Sequence, residues 1–198
     1  MDILRVMAEV LLFHHAQGLT AGVRAFADEL RAAGHVVHTP DLYDGQTFAT
    51  IDDGVNHAKS VGFGKILDRG VAATEGLPDH LVYAGFSLGV MPAQKLAQTR
   101  RGAKGALLFS ACFPPSEFDG PWPDGIPLQV HMMEDDEWVK EGDLDAARDL
   151  AASTPNAELF LYPGERHLFA DKSLSDYDAR ATAKLMTRVL TFLGGIKS

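Results

Sequence analysis

The chain has 198 residues, of which 46% are hydrophobic and 23% charged, a composition typical of globular proteins. A chain of this length usually forms one domain, so we expect residues 1–198 to fold as a single unit. Its 18 basic and 27 acidic residues give a net charge of −9. An acidic chain is repelled by nucleic acid and by anionic membranes, so we expect neither as a partner.

Cys112 is the only cysteine, which excludes an internal disulfide and any Cys/His zinc motif. We expect it to be a small buried side chain. No apolar run approaches the ~18 residues that a membrane span needs. The first 15 residues lack the basic start and the small-residue cleavage site of a signal peptide. We therefore expect a cytoplasmic protein that holds no metal and needs no cofactor.

The first forty residues predict a strand, a helix and a second strand. Residues 9–14 contain the apolar run 10–13 and predict a strand, and residues 19–33 repeat apolar side chains every three or four positions, which is typical of one helical face. Thr20 is expected to cap this helix, and Gly34 to follow its end. Residues 35–39, closed by Pro40, predict the second short strand. Two strands joined through a helix lie parallel in one sheet.

The rest of the chain continues this alternation. Strands are predicted at 105–110, 128–133 and 157–162, and helices at 143–153 and 175–193. Residues 45–76 predict two short helices weakened by glycines, and residues 113–127 hold five of the ten prolines and predict a long irregular loop. The predicted fold class is α/β, a mostly parallel twisted sheet with helices on both faces.

One stretch, residues 80–98, carries the strongest functional signal. A short apolar strand runs into Gly85-Phe86-Ser87-Leu88-Gly89 and then into a helical pattern. G-x-S-x-G between a strand and a helix is typical of the nucleophile elbow of α/β-hydrolases. Glycines flank the tight turn because a β-carbon would clash there. The Leu88 N–H, at the start of the helix, is expected to stabilise an oxyanion.

Partners for Ser87 are expected at the carboxyl ends of later strands. The strand at 128–133 runs into a cluster of four carboxylates that includes Asp135 and Asp136, and the last strand runs into His167. The predicted order is Ser87, Asp136, His167, with His167 as general base and the aspartate orienting it. An exposed acidic turn and a solvated loop histidine are the alternatives. Spacing alone leaves Asp135 open as the acid.

From Val10 to His167 the sequence resembles the dienelactone hydrolase family. Besides the elbow, the resemblance is carried by the runs FHHAQGL at 13–19, TPDLY at 39–43, HMMEDDEWV at 131–139 and YPGERHLFA at 162–170. It implies an α/β-hydrolase fold and favours Asp136, because the family's acid precedes a residue-aromatic-Val pattern. It also implies that the Ala16 N–H is the second oxyanion donor beside Leu88.

Three positions depart from the family pattern. Ser87 stands where the best-known members carry cysteine, His15 where they carry glutamate, and Asp171 where they carry the arginine that holds a substrate carboxylate. An acidic Asp171 is expected to repel such a carboxylate and to favour neutral substrates. Arg166 is the alternative cation. We expect His15, Trp122 and Arg166 to contact the substrate.

Two functions from different classes remain open at this point. The first is a serine hydrolase, a monomer or homodimer, that cleaves a small-molecule ester, lactone or thioester through an acyl-enzyme. The second is a non-catalytic member of the same fold that binds a small molecule or a partner protein. A strained serine turn with matching acid and base residues favours the first.

Overall fold

The computed structural model describes residues 7–196 and contains one six-stranded sheet. The first six residues, part of the stretch considered above as a signal peptide, lie outside this range. The strands are β1 (Glu9–Phe13), β2 (Val36–His38), β3 (Val82–Phe86), β4 (Gly105–Phe109), β5 (Leu128–Met133) and β6 (Ala157–Tyr162). Their order is β2-β1-β3-β4-β5-β6, and every neighbouring pair is parallel. The carboxyl ends of all six strands therefore meet at one edge.

Within residues 7–196, six α-helices cover the two faces of this sheet. They are α1 (Ala21–Ala32), α2 (Ile51–Val61), α3 (Phe63–Ala72), α4 (Val90–Thr99), α5 (Asp143–Ser153) and α6 (Ala179–Gly195). Alternate side chains of β1 enter opposite cores: Val10 and Leu12 pack with α1 and α6, while Leu11 and Phe13 pack with α2 to α5. The predicted parallel α/β fold with helices on both faces is confirmed.

Local signals set several helix boundaries. The Thr20 side chain accepts a hydrogen bond from the Val23 N–H at the start of α1, and Gly34 follows its end with φ +99°. Gly62, with φ +95°, separates α2 from α3, because few residues other than glycine adopt that angle. The predictions of the first helix and of two short helices in residues 45–76 are confirmed.

The last helix and the long loop differ in detail from prediction. The last helix begins at Ala179 rather than near residue 175, because Asp178 caps it by accepting from the Ala181 N–H. Residues just before it form turns, and the Tyr177 carbonyl accepts from the Arg166 guanidinium instead of from helix backbone. The loop at 113–127 contains one short 3₁₀ turn, Pro115–Phe118.

No helix within residues 7–196 is long and apolar enough to cross a bilayer.

Candidate active site

Ser87 lies at the carboxyl end of β3, where the chain turns sharply into a 3₁₀ turn and then α4. Its φ of +47° is rare for a residue with a β-carbon and marks local strain. A β-carbon on Gly85 would lie 2.1 Å from the Gly89 carbonyl oxygen, and one on Gly89 would lie 2.6 Å from the Phe13 and His14 oxygens. The two glycines therefore let the elbow fold on itself and against the end of β1.

A continuous line of hydrogen bonds runs from Ser87 into the protein. The Ser87 Oγ lies 2.7 Å from His167 Nε2, and His167 Nδ1 lies 2.7 Å from Asp136 Oδ2. Asp136 is fully buried, and its other oxygen accepts from the Trp138 N–H at 2.9 Å. Asp135 is exposed. The carboxylate that contacts His167 is therefore Asp136, the acid of the predicted order, and not Asp135, which spacing alone had left open.

These contacts assign the proton positions on the imidazole of His167. A carboxylate can only accept, so Nδ1–H donates to Asp136 and Nε2 is left with a free lone pair. That lone pair accepts from the Ser87 hydroxyl. The arrangement can remove the serine proton while the aspartate stabilises the imidazolium that results.

Two backbone N–H groups lie at the same edge of the sheet. Leu88 is in the first turn of a helix, where N–H groups have no intrahelical acceptor. The Ala16 N–H follows β1, and it has no hydrogen-bond acceptor among the described residues. Gly54 of α2 packs directly on the Ala16 carbonyl. A β-carbon added to Gly54 would lie 2.1 Å from the Ala16 carbonyl oxygen. The oxyanion role of these two N–H groups stays a prediction.

His15, predicted to contact the substrate, is buried instead. Its Nε2 lies 2.8 Å from Asp171 Oδ2, and its Nδ1 accepts from the Gln17 N–H at 3.2 Å. Both ring nitrogens are therefore occupied by protein groups. The prediction of a substrate contact for His15 is wrong, because the ring turns inward beneath its own loop.

Asp171 is buried as well and accepts three side-chain hydrogen bonds. They come from His15, from the Thr20 hydroxyl at 2.5 Å and from the Ser173 hydroxyl at 2.6 Å. Burial on its own would raise the pKa of Asp171, but these bonds together with the Ser173 N–H outweigh it and lower the pKa to about 2. The expectation that Asp171 repels a substrate carboxylate is wrong, since its oxygens face protein donors.

Trp122 and Arg166 each donate to a backbone carbonyl. Trp122 is buried in the core, and its indole N–H donates to the Ile126 carbonyl at 2.7 Å. The exposed Arg166 side chain donates to the Tyr177 carbonyl at 2.8 Å and lines a separate cleft on the surface. The substrate contact predicted for Trp122 is therefore wrong, because its ring is buried and its N–H is engaged. The contact predicted for the exposed Arg166 stays a prediction.

The structure adds Ser110, which sequence reasoning missed. Ser110 follows β4 with φ +60°, and its buried hydroxyl donates to the His167 carbonyl at 2.5 Å. Its N–H donates to the His131 carbonyl of β5 at 2.8 Å. Ser110 thus fixes the loop that carries His167. A serine directly after a central strand was the only signal in the sequence.

Cys112 and Asp143 lie behind the site. The Cys112 N–H donates to Asp143 Oδ2 at 3.3 Å, and the thiol is fully buried. Burial, followed by the charge of Asp143, raises the pKa of Cys112 to about 12. Burial likewise raises the pKa of Asp143. Cys112 is buried, as expected, and its thiol stays protonated at neutral pH. Residues 7–196 contain no group of three His, Cys, Asp or Glu side chains arranged to hold a metal ion.

Fold and site together define the class of protein, that of the α/β-hydrolases. The sequence matches the dienelactone hydrolase family over residues 5–197, and the chain belongs to that family. Membership makes it a hydrolase of the carboxylic ester class, as the sequence predicted. No curated protein matches the sequence.

Solved structures with the same fold include three named enzymes. A dienelactone hydrolase-like promiscuous phosphotriesterase from metagenomic libraries has a TM-score of 0.75 at 19% identity, covering 96% of this chain and 86% of that one. A dienelactone hydrolase from Anabaena variabilis has a TM-score of 0.69 at 16% identity, covering 98% and 88%. A cold-adapted esterase from an Arctic intertidal metagenomic library has a TM-score of 0.63 at 19% identity, covering 92% of this chain and 82% of that one. At these identities the likeness is one of fold.

Proposed function

We propose that the protein is a serine hydrolase that cleaves a small ester, lactone or thioester through an acyl-enzyme on Ser87. The observation that carries the proposal is the line of two 2.7 Å hydrogen bonds from Ser87 through His167 to Asp136. A binding protein has no need for a strained serine whose hydroxyl faces a correctly protonated imidazole.

The first half-reaction forms the acyl-enzyme. As the Ser87 Oγ bonds to the substrate carbonyl carbon, its proton passes to His167 Nε2, and the carbonyl electrons move onto oxygen. The Leu88 and Ala16 N–H groups stabilise that oxyanion. When the carbonyl re-forms, the bond to the leaving group breaks, and the leaving group takes the proton from His167.

The second half-reaction regenerates the enzyme. Water gives a proton to His167 Nε2 as its oxygen attacks the acyl carbon, and the oxyanion forms again on the same N–H groups. Collapse breaks the bond to Ser87, which recovers its proton from His167. The products are a carboxylic acid and an alcohol or thiol.

The substrate is proposed to be neutral around its scissile bond. Asp171, at the position where the family carries arginine, is buried and bonded to His15, and the Arg166 guanidinium is held by the Tyr177 carbonyl. Neither residue offers a cation to a substrate carboxylate. The exposed Trp138 indole beside His167 instead offers an apolar surface.

We also infer the setting in which the enzyme acts. A lone buried cysteine and a net charge of −9 favour a cytoplasmic protein, monomer or homodimer, that acts on a small molecule without nucleic acid or membrane.

Hydrolysis of p-nitrophenyl acetate and labelling by a fluorophosphonate probe test the proposal. Wild type should turn over the ester and label once, and Ser87→Ala should lose about 10³ or more in kcat with an unchanged melting temperature. Ser153→Ala, which removes an exposed hydroxyl on α5, is the matched control and should behave as wild type. A folded wild type that neither hydrolyses nor labels would instead favour the non-catalytic binding protein.

A further inference from the structure

Trp138 is a large apolar side chain that the fold leaves in solvent. It is 48% exposed, more than any other aromatic side chain in residues 7–196. Its ring centroid lies 5.7 Å from that of His167, with the two planes inclined by 35°. An indole in this position has one part against the imidazole and the rest free to touch a bound molecule.

The backbone at Trp138 is held by the same carboxylate that orients His167. The Trp138 N–H donates to Asp136 Oδ1 at 2.9 Å, and the Val139 N–H donates to the Asp136 carbonyl at 3.2 Å. These bonds close a tight turn directly after Asp136. The backbone of Trp138 is therefore anchored on Asp136, and its ring stays beside the imidazole.

The chemistry of the proposed hydrolysis, on which this inference rests, decides what meets the indole. His167 Nε2 gives its proton to the leaving-group oxygen or sulfur, so that atom comes within roughly 3 Å of Nε2. The substituent on that atom then lies beside the imidazole, within reach of the neighbouring indole. The acyl group, bonded to Ser87 on the other side of the scissile bond, extends away from His167.

We propose that Trp138 forms the wall of the leaving-group subsite and selects substrates whose alcohol or thiol part is apolar and planar. Aromatic side chains bind such groups through burial and ring–ring contact. A contact of this kind discriminates by about three- to tenfold in kcat/KM between a planar aromatic leaving group and a small one.

Benzyl acetate and methyl acetate test this subsite, because their alcohols have similar acidity and differ mainly in the ring. Wild type should prefer benzyl acetate, and Trp138→Ala should reduce the ratio of the two kcat/KM values by about three- to tenfold. Trp138→Phe should keep most of that ratio, since a planar ring remains. Val36→Ala removes an exposed apolar group at the opposite edge of the sheet and should leave the ratio unchanged.

The outcomes separate this inference from the proposed function. Trp138→Ala could lower both kcat/KM values equally, or shift the pH–rate profile without changing their ratio. Either result would mean that the indole acts only on His167, and it would contradict the proposed leaving-group subsite. Trp138→Gln, which keeps a long side chain without a ring, should match Trp138→Ala, so the result does not depend on one variant folding. A wild type that fails to label with fluorophosphonate contradicts the hydrolase itself, whereas one that labels and hydrolyses without preferring benzyl acetate contradicts the subsite alone.

Discussion

His15 Nε2 lies 2.8 Å from Asp171 Oδ2, so a buried pair joins two loops that are 156 residues apart. Because Nδ1 of His15 accepts from the Gln17 N–H, the proton of the neutral ring must be on Nε2, which donates to Asp171. His15 precedes Ala16, the proposed oxyanion donor, and Asp171 follows the loop of His167. The pair therefore fixes the oxyanion loop against the loop of the general base.

Asp171→Asn is expected to destabilise the protein in a pH-dependent way. The folded pKa of about 2 lies below the ordinary value of 3.8, so the ionised carboxylate stabilises the folded state above pH 4. That contribution, about 2 kcal/mol, is lost as pH falls from 3.8 toward 2. Urea unfolding at pH 7, 5 and 3 should show a gap between variant and wild type that is full at pH 7 and smaller at pH 3.

An exposed aspartate supplies the control for that experiment. Asp28 in α1 is 70% exposed and pairs with Arg31 on the surface, so Asp28→Asn should cost less than about 1 kcal/mol at every pH. A gap for Asp171→Asn that stays constant from pH 7 to pH 3 would mean that the loss is one of packing rather than of the ionised group.

Asp136→Asn is expected to lose about 10⁴ in kcat, and Asp135→Asn less than about threefold. An asparagine at 136 presents an amide that can donate toward His167, which favours the tautomer with its proton on Nε2 and leaves Ser87 without a base. Asp135 is exposed and is not the partner of His167. Ester hydrolysis by the two variants, with equal melting temperatures, makes the comparison. A large loss of kcat in Asp135→Asn would show that Asp136 is not the acid of the triad.

Ser110→Ala is expected to lower kcat about tenfold, with a smaller change in KM. The Ser110 hydroxyl holds the His167 carbonyl at 2.5 Å, so its removal loosens the loop of the base rather than the substrate contacts. A tenfold loss corresponds to about 1.4 kcal/mol in the barrier. The rate of fluorophosphonate labelling should fall in parallel. Ser60→Ala, which removes an exposed hydroxyl on α2, should leave both rates unchanged. Equal rates in Ser110→Ala and wild type would rule out the positioning role.

Cys112 is expected to be inert toward iodoacetamide at pH 8 in the folded protein. Its pKa is raised to about 12, so almost no reactive thiolate is present, and the side chain is fully buried. In denaturing urea, where the pKa returns to its ordinary value, one alkylation per chain should appear by mass spectrometry. Rapid alkylation of the folded protein would show that the thiol is accessible.

The sequence was sufficient to predict the parallel sheet and to predict which polar loops follow the carboxyl ends of its strands. Buried parallel strands are short apolar runs, and connections between parallel strands bring their carboxyl ends together. Together with the G-x-S-x-G motif, these rules singled out Ser87 and His167, which lie within hydrogen-bond distance. Spacing left Asp135 and Asp136 open and the family resemblance favoured Asp136, whereas the direction of each side chain in the tight turn comes from the structure.

The errors share one physical origin. Whether His15 or Trp122 faces the site depends on hydrogen bonds to atoms that no local pattern reveals. His15 finds its acceptor 156 residues away, and Arg166 finds a carbonyl 11 residues away. The start of α6 was placed too early for the same reason, because Tyr177 is drawn into that contact with Arg166. The periodicity of apolar residues identifies helices and strands, but long-range polar contacts decide which way a polar side chain points.

Gly89→Ala is expected to abolish activity and to destabilise the fold by about 2 kcal/mol or more. Its β-carbon would lie 2.6 Å from two backbone oxygens at the end of β1, so the elbow or the oxyanion loop must move. Gly64→Ala is the matched control: this exposed glycine in α3 has no atom within 4 Å, and alanine there should stabilise the helix by up to about 1 kcal/mol. Urea unfolding and ester hydrolysis measure both effects. If Gly89→Ala stayed active and stable, the elbow would not depend on close backbone approach, and the oxyanion donors would not need their present positions.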